Sequence, residues 1–228
     1  MSGIELFGVD QVAPDLDIDD VENARQYLLD ILVDGSGSMG GYVSAMQDAL
    51  ANFKLAIQGS KEVDEILAAR TDFGVPGGIR VNGYQYIDQF PVGYGAHNST
   101  PLYDAIVAAQ QRLYRGDGQG YMERLAQNGV KVNAAIAIFS DGYDNDSRAS
   151  ASDAAAAVAL LQKWEIKVAF VAFGKGAQGV AANLGIKEVR EYDASERDLR
   201  EIFALLSRSA ISASQSAAAG QSQGAFFV

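Results

Sequence analysis

Apolar residues along this 228-residue chain recur in two rhythms. Nearly unbroken apolar runs fall at 27–33, 134–139 and 168–173, the pattern of strands covered on both faces. Between them apolar positions return every third or fourth residue, as on one face of a helix. Val43, Met46, Leu50, Phe53 and Ile57 predict a helix over 42–58. Leu102, Ala105, Ile106, Ala109 and Leu113 predict another over 100–114, with Thr100 at the cap and Pro101 at the first helical position. Further helices are predicted up to 127, over 151–164 and 180–184, and over 198–212 with Leu199, Ile202, Phe203 and Leu206 turned inward. Residues 65–71 read as a strand. The turn Gly74-Val75-Pro76-Gly77-Gly78 then reverses the chain into 79–81 and 84–87, with a bulge at Gly83. Residues 130–139 form a central strand and 189–192 the last one.

Strands alternating with helices define an α/β fold. The expected architecture is an open, doubly wound, mostly parallel, Rossmann-like sheet of about six strands. One antiparallel edge strand comes from the hairpin, and helices cover both faces. Residues 1–24 read as a solvated acidic arm, since Asp15, Asp17, Asp19, Asp20 and Glu22 crowd together there. They lack the bend glycine and closing glutamate of a calcium loop. Residues 25–212 form the domain. Residues 213–228 are a low-complexity tail of Ser, Ala, Gln and Gly that ends on Phe226-Phe227-Val228.

Composition narrows the function. A formal net charge of −11 opposes binding to nucleic acid and to anionic membrane surfaces. The chain has no cysteine, which removes disulfides, thiolate metal sites and cysteine nucleophiles. No apolar run is long enough to insert in a membrane and no leader pattern opens the sequence, so a cytoplasmic protein is expected.

Candidate chemistry gathers after the first strand. Asp34-Gly35-Ser36-Gly37-Ser38 puts a carboxylate and two hydroxyls on one tight turn, and Gly35 and Gly37 ease that turn. Hard oxygen donors of this kind suit Mg²⁺. In an open α/β sheet, ligands bind at the carboxyl ends of strands where strand order reverses. If 27–33 and 130–139 flank that reversal, Asp141 faces Asp34, and Thr100, opening the helix that feeds the second strand, returns to the same edge. Asp34, Ser36, Ser38, Thr100 and Asp141 are thus the candidate metal residues. Asp104, one turn into the helix, is a supporting residue, while Tyr42, Tyr94, His97 and Tyr143 are candidates for the rim. Asp144-Asn145-Asp146 reads as a solvated loop rather than a second metal site.

The combination of Asp34-Gly35-Ser36-Gly37-Ser38, Ser99-Thr100-Pro101-Leu102-Tyr103-Asp104-Ala105 and Ser140-Asp141-Gly142 resembles the von Willebrand factor type A domain. The likeness covers about residues 25–212. In that family an Asp-x-Ser-x-Ser turn, a separate Thr and a separate Asp form the metal-ion-dependent adhesion site. The resemblance implies that Ser36, Ser38 and Thr100 are direct hydroxyl ligands, with Asp34 and Asp141 acting through water or by orienting the hydroxyls. It implies Mg²⁺, with Mn²⁺ or Ca²⁺ as substitutes, and a protein partner that supplies an Asp or Glu to the metal. The function it implies is non-enzymatic binding. The Ser-rich stretch after the last helix bears a weaker similarity to members found in bacterial stress and tellurium-resistance systems. Others of the family assist complex assembly.

Rival readings account for fewer of these residues. Gly35-Ser36-Gly37-Ser38-Met39-Gly40 fits a dinucleotide fingerprint, but Asp34 would then oppose the pyrophosphate, and Thr100 and Asp141 would lack a role. A haloacid-dehalogenase-type phosphatase needs a second acid where Ser36 stands. A serine hydrolase built on Ser38 would depend on the single histidine, His97. Helix and strand capping explains Thr100 alone but not Asp34, Ser36, Ser38 and Asp141 together. Two other functions remain as alternatives: a small metal-dependent hydrolase using the same pocket, and a structural subunit stiffened by its metal.

Overall fold

The computed structural model describes residues 9, 11–97, 99–173, 176–192 and 195–218. In chain order the strands are β1 (Gln11–Ala13), β2 (Arg25–Asp34), β3 (Ile66–Val75), β4 (Gly78–Tyr86), β5 (Lys131–Ser140), β6 (Lys167–Phe173) and β7 (Glu188–Tyr192). The helices are α1 (Val43–Gln58), α2 (Leu102–Leu113), α3 (Tyr121–Gln127), α4 (Ala151–Lys163), α5 (Ala177–Asn183) and α6 (Glu196–Ala218). The strands form one sheet in the order β1-β4-β3-β2-β5-β6-β7. β3, β2, β5, β6 and β7 run parallel, and β4 is antiparallel to β3.

Alternation along each central strand divides the core into two layers. Leu28 and Leu32 of β2 pack with residues of α2, α3, α4 and α5. Tyr27, Leu29, Ile31 and Val33 pack with α1 and α6 on the opposite face. Phe203 of α6 stacks on Phe139 of β5 with ring centroids 4.6 Å apart. Burying a side chain of this size contributes roughly 1.5–3 kcal/mol.

Strand order reverses at β2. The chain moves from β2 to β3 on one side, and later adds β5 on the other. The carboxyl ends of β2 and β5 therefore flank the switch point, where an α/β sheet leaves a crevice. Leu32 pairs with Ile138 and Val33 with Phe139, so the Asp34 turn and the Ser140-Asp141 turn leave the sheet at the same level.

Four features depart from the sequence reading. First, the described residues form seven strands against about six expected, and the antiparallel strand β4 is second from the edge because β1 pairs beside it, in parallel. β1 was hidden inside the supposed acidic arm because its three residues are all exposed and carry no alternation. Second, that arm is only partly solvated. The pairing of β3 with β4 gains one residue on the β4 side between Asn82 and Gln85. The backbone left over at Tyr84 is satisfied from the N-terminal segment: Tyr84 N donates to Asp15 Oδ1 at 2.8 Å, and Leu16 N donates to Tyr84 O at 2.7 Å. Gly83 makes this approach feasible, since a Cβ there would lie 2.5 Å from the Pro14 carbonyl. Asp19 and Asp20 remain exposed.

Third, α2 begins at Leu102 with Pro101 in the cap position, and no side-chain hydrogen bond caps it. The Thr100 hydroxyl is therefore not a helix cap. Fourth, α6 continues past 212 to Ala218. Ser214 is buried there and its hydroxyl donates to Glu65 Oε2 at 3.1 Å. Phe226 and Phe227 lie outside the described residues.

Candidate metal centre

Asp34 ends β2 with no exposed surface. Its Oδ1 accepts the Ser36 backbone N–H at 2.8 Å, closing a tight turn, and its Oδ2 accepts the Ser140 hydroxyl at 2.6 Å. The Ser140 Oγ in turn accepts the Gly142 N–H at 3.0 Å. The carboxylate is thus oriented from both sides and ties the first turn to the one carrying Asp141. Burial raises the Asp34 pKa, hydrogen bonds from Ser140 and Ser36 lower it in part, and the like charge of Asp141 raises it further.

Ser36 is buried and Ser38 exposed, with their hydroxyl oxygens 2.9 Å apart. Ligands about 2.0–2.1 Å from an octahedral Mg²⁺ lie about 2.9 Å from each other on adjacent vertices. The seryl pair therefore already has the spacing of two neighbouring Mg²⁺ ligands.

Thr100 is buried, and its backbone is clamped to the loop after β5. Thr100 N donates to Asn145 Oδ1 at 2.7 Å, and Asn145 N donates to Thr100 O at 3.2 Å. The same segment reaches the serine turn at Gly74, where β3 carries an extra residue opposite Ile79 and Gly78. Gly74 has φ +77°, and a Cβ on it would lie 2.3 Å from Ser99 O and 2.9 Å from Ser36 N. Only a residue without a side chain lets Ser99-Thr100 and Ser36 come this close. Asp34, Ser36, Ser38, Thr100 and Asp141 consequently come from three segments bound to one another at one sheet edge.

The surrounding residues hold this arrangement. Asp104, buried on α2, accepts Ala149 N at 2.7 Å and Arg148 N at 3.0 Å, so it fastens the loop after β5 from below. Asp144 accepts Tyr103 N at 3.1 Å and bonds the Ser147 hydroxyl at 2.5 Å. Asp144 and Asn145 are thus loop fasteners, and Asp146 is exposed. Tyr94 is buried rather than at the rim, and its hydroxyl donates to Asp34 O at 2.5 Å. Gly35 donates to Phe73 O at 2.7 Å and accepts His97 N at 2.6 Å. His97 is exposed and lines an adjoining cleft with Arg70 and Arg80. Tyr143 is exposed, with its hydroxyl against Gly176 at the start of α5.

Ser140, Asn145 and Ser147 take parts in this network that the sequence reading did not assign to them. Ser140 stood beside Asp141 in the motif, but an inward-facing last residue of a buried strand would have been the signal. Among the described residues no cluster of three or more carboxylate, imidazole or thiol groups could hold a metal. The segments that meet at this edge carry two carboxylates, of Asp34 and Asp141, and three hydroxyls, of Ser36, Ser38 and Thr100. Such a set suits a small hard cation and not a soft one.

Neither a family model nor a curated protein matches the sequence. Solved structures match the fold. The pilus adhesin SpaC of Lactobacillus rhamnosus GG, in an open conformation, superposes with a TM-score of 0.63 at 11% identity, over 83% of this chain and 30% of its own. Proximal thread matrix protein 1 of the mussel byssus, with a zinc-occupied MIDAS motif, superposes with a TM-score of 0.56 at 16% identity, over 82% of this chain and 46% of its own. The chain spans less than half the length of each. The architecture is that of the von Willebrand factor type A fold. No helix among the described residues is long and apolar enough to cross a membrane.

Proposed function

We propose that this domain is a non-enzymatic protein-binding module that captures an acidic side chain of a partner through Mg²⁺. Ser36, Ser38 and Thr100 would hold the cation by their hydroxyls, with Asp34 and Asp141 orienting them and balancing its charge. The bound cation would supply an electrophilic position that a partner's Asp or Glu completes. The observation that carries this reading is Asp34 itself. It is a fully buried carboxylate whose oxygens, among the described residues, meet hydrogen-bond donors and no cation, and the charge acting on it is another carboxylate. A buried charge of this kind calls for a counter-charge, and a divalent cation beside the seryl pair provides one.

A hydrolase reading needs a base for Ser38. The oxygen beside Ser38 is that of Ser36, and no hydrogen bond joins His97 Nε2, which lies against Gly95, to Ser38 among the described residues. A binding role uses every group without assigning a proton acceptor. The mussel protein with zinc at its MIDAS motif supports a divalent ion in this fold, and the adhesin supports a binding role.

Two measurements test the proposal together. Mg²⁺ at one hundred times its Kd should stabilise the protein by about 2.7 kcal/mol in urea unfolding. Mn²⁺ should substitute for it, and Asp34→Ala should abolish the effect. Capture of a partner from a native lysate should require Mg²⁺ and fail with the variant. Capture that proceeds equally in EDTA, or with Asp34→Ala, would reject the proposal.

A further inference from the structure

Behind the serine turn, on the sheet face that carries α1 and α6, the β3–β4 side opens a cleft of about 400 Å³. Arg70, Asp72, Arg80, Tyr94 and His97 are among the residues lining it. Arg70 is almost fully buried, and its guanidinium is fixed by design of its contacts. Nε and Nη2 donate to Asp72 Oδ1 at 2.8 and 2.6 Å, and Nη1 donates to Pro91 O at 2.8 Å. Arg80 is exposed and bonds through Nε to Gln11 Oε1 at 3.1 Å. That contact steadies the side chain, and no bond to its terminal nitrogens is found among the described residues. The cleft therefore sets two guanidinium groups against one carboxylate, on a chain whose net charge is −11. A planar guanidinium fork matches a carboxylate in two-point contact.

The cleft is joined to the metal turn. Tyr94, in its wall, donates to Asp34 O, and His97, also in its wall, donates its backbone N–H to Gly35 O. Val75 lines the cleft too, and its Cγ1 lies 3.2 Å from where a Gly35 Cβ would stand. The cleft wall therefore touches the backbone of the turn that carries the seryl hydroxyls.

We infer that the Arg70–Arg80 cleft is a carboxylate-binding site, and that its occupant is a second acidic side chain of the same partner segment whose first acid meets the metal. The inference rests on the function proposed above for the occupant, while the carboxylate site stands on the cleft alone. Charge complementarity selects the occupant: on a chain of net charge −11, guanidinium groups outnumber carboxylates in this cleft, and an acidic segment is attracted to it. Two anchors joined by a short linker raise affinity through effective concentration.

The site is tested without metal. In EDTA, succinate should shift the amide signals of Tyr94, Gly95 and His97 and the Nε signal of Arg80 saturably, and Arg80→Glu should remove the response. Arg80 is exposed, so the variant should fold; Arg80→Lys, which keeps the charge but not the fork, should retain part of the response. The occupant is tested with Mg²⁺ and short peptides carrying one glutamate, or two at graded separations. The best two-glutamate peptide should bind about tenfold tighter than the one-glutamate peptide. Arg80→Glu should erase that gain while leaving one-glutamate and Mg²⁺ affinity unchanged. Succinate shifts that appear only with Mg²⁺ and vanish in Asp34→Ala would put the carboxylate on the metal and overturn the cleft, with the binding function intact. A two-glutamate advantage that survives Arg80→Glu would overturn the occupant. Succinate shifts in EDTA together with Mg²⁺-independent peptide binding would sink metal capture and support the carboxylate site.

Discussion

Asp30 and Asp34 share one strand, and both are completely buried, yet the protein treats them differently. Asp30 is paired with the guanidinium of Arg112, which also reaches Thr71 Oγ1 at 3.3 Å. Arg112 lies over the Tyr84 ring at 5.1 Å, and Tyr84 stacks on Tyr121 at 5.1 Å. Arg124 covers Tyr121 at 5.4 Å and reaches Asp15 at 3.7 Å. Burial opposes the Arg112 charge, but Asp30, Tyr84 and Asp15 together outweigh it and the guanidinium pKa is raised. Among the described residues Asp34 has no such partner. Its oxygens are met by a backbone N–H and a hydroxyl, and the neighbouring charge is the carboxylate of Asp141. A carboxylate neutralised within the chain belongs to the scaffold. One left un-neutralised at the carboxyl end of a strand, beside a crevice, marks a site.

The sharpest way to break this contrast is to remove each carboxylate in turn. Asp30→Ala strands the Arg112 charge in the core and should cost about 3–5 kcal/mol in urea unfolding, with or without Mg²⁺. Asp34→Ala, measured in EDTA, should cost far less, because its charge has no ionic partner to lose. Equal losses for the two variants in EDTA would erase the distinction between scaffold and site. Replacing Asp30 and Arg112 together by apolar residues should recover most of the stability, since both charges leave the core at once.

Gly74 offers the next largest effect. Its φ of +77° strains any other residue, and an alanine Cβ would press on the Ser99 carbonyl and the Ser36 N–H. Gly74→Ala should lower stability by about 1–3 kcal/mol. Its specific signature is a weakened Mg²⁺ response, because the Ser99-Thr100 segment must move off the serine turn. A variant that loses stability yet keeps full Mg²⁺ affinity would show that Gly74 serves the sheet and not the site.

Most of the parallel core was legible because apolar runs such as 134–139 and the helical spacing of Val43, Met46, Leu50, Phe53 and Ile57 encode burial directly. The turns that meet at the sheet edge were also legible, since the segments that carry Asp34, Ser36, Ser38, Thr100 and Asp141 each follow or precede a clear element. What escaped were relations that only three dimensions create. β1 is three exposed residues whose partner, β4, is distant in sequence. Asp15 looked like one member of an acidic run, but a bulge at Gly83–Tyr84 made it a hydrogen-bond acceptor for the sheet. Arg70 and Arg112 are both buried and ion-paired, to Asp72 and Asp30, and neither carries a local pattern that tells that Arg70 also lines a cleft.

Asp15 tests the comparison at its midpoint, with the smallest expected effect. Burial raises its pKa above 3.8, although Arg112, the Tyr84 N–H and Arg124 each pull it down in part. The sign follows from proton linkage. A carboxyl group whose folded pKa lies above its unfolded value contributes stability that is complete below the unfolded pKa and is lost as pH rises through the folded one. Asp15→Asn keeps an oxygen to accept the Tyr84 N–H, now without a titrating group. The stability of the variant relative to wild type should therefore climb as pH rises from about 3.8, then level off above the folded pKa. The gain at neutral pH should stay within about 1 kcal/mol, since the pair with Arg124 is partly exposed and gives back little. Salt separates the two contributions, because it screens the Arg124 pair and leaves the burial of Asp15 unchanged. If Asp15→Asn instead loses stability at pH 7, and the loss shrinks in high salt, then Arg124 does for Asp15 what Arg112 does for Asp30, and Asp34 stands alone as the carboxylate left for an external cation.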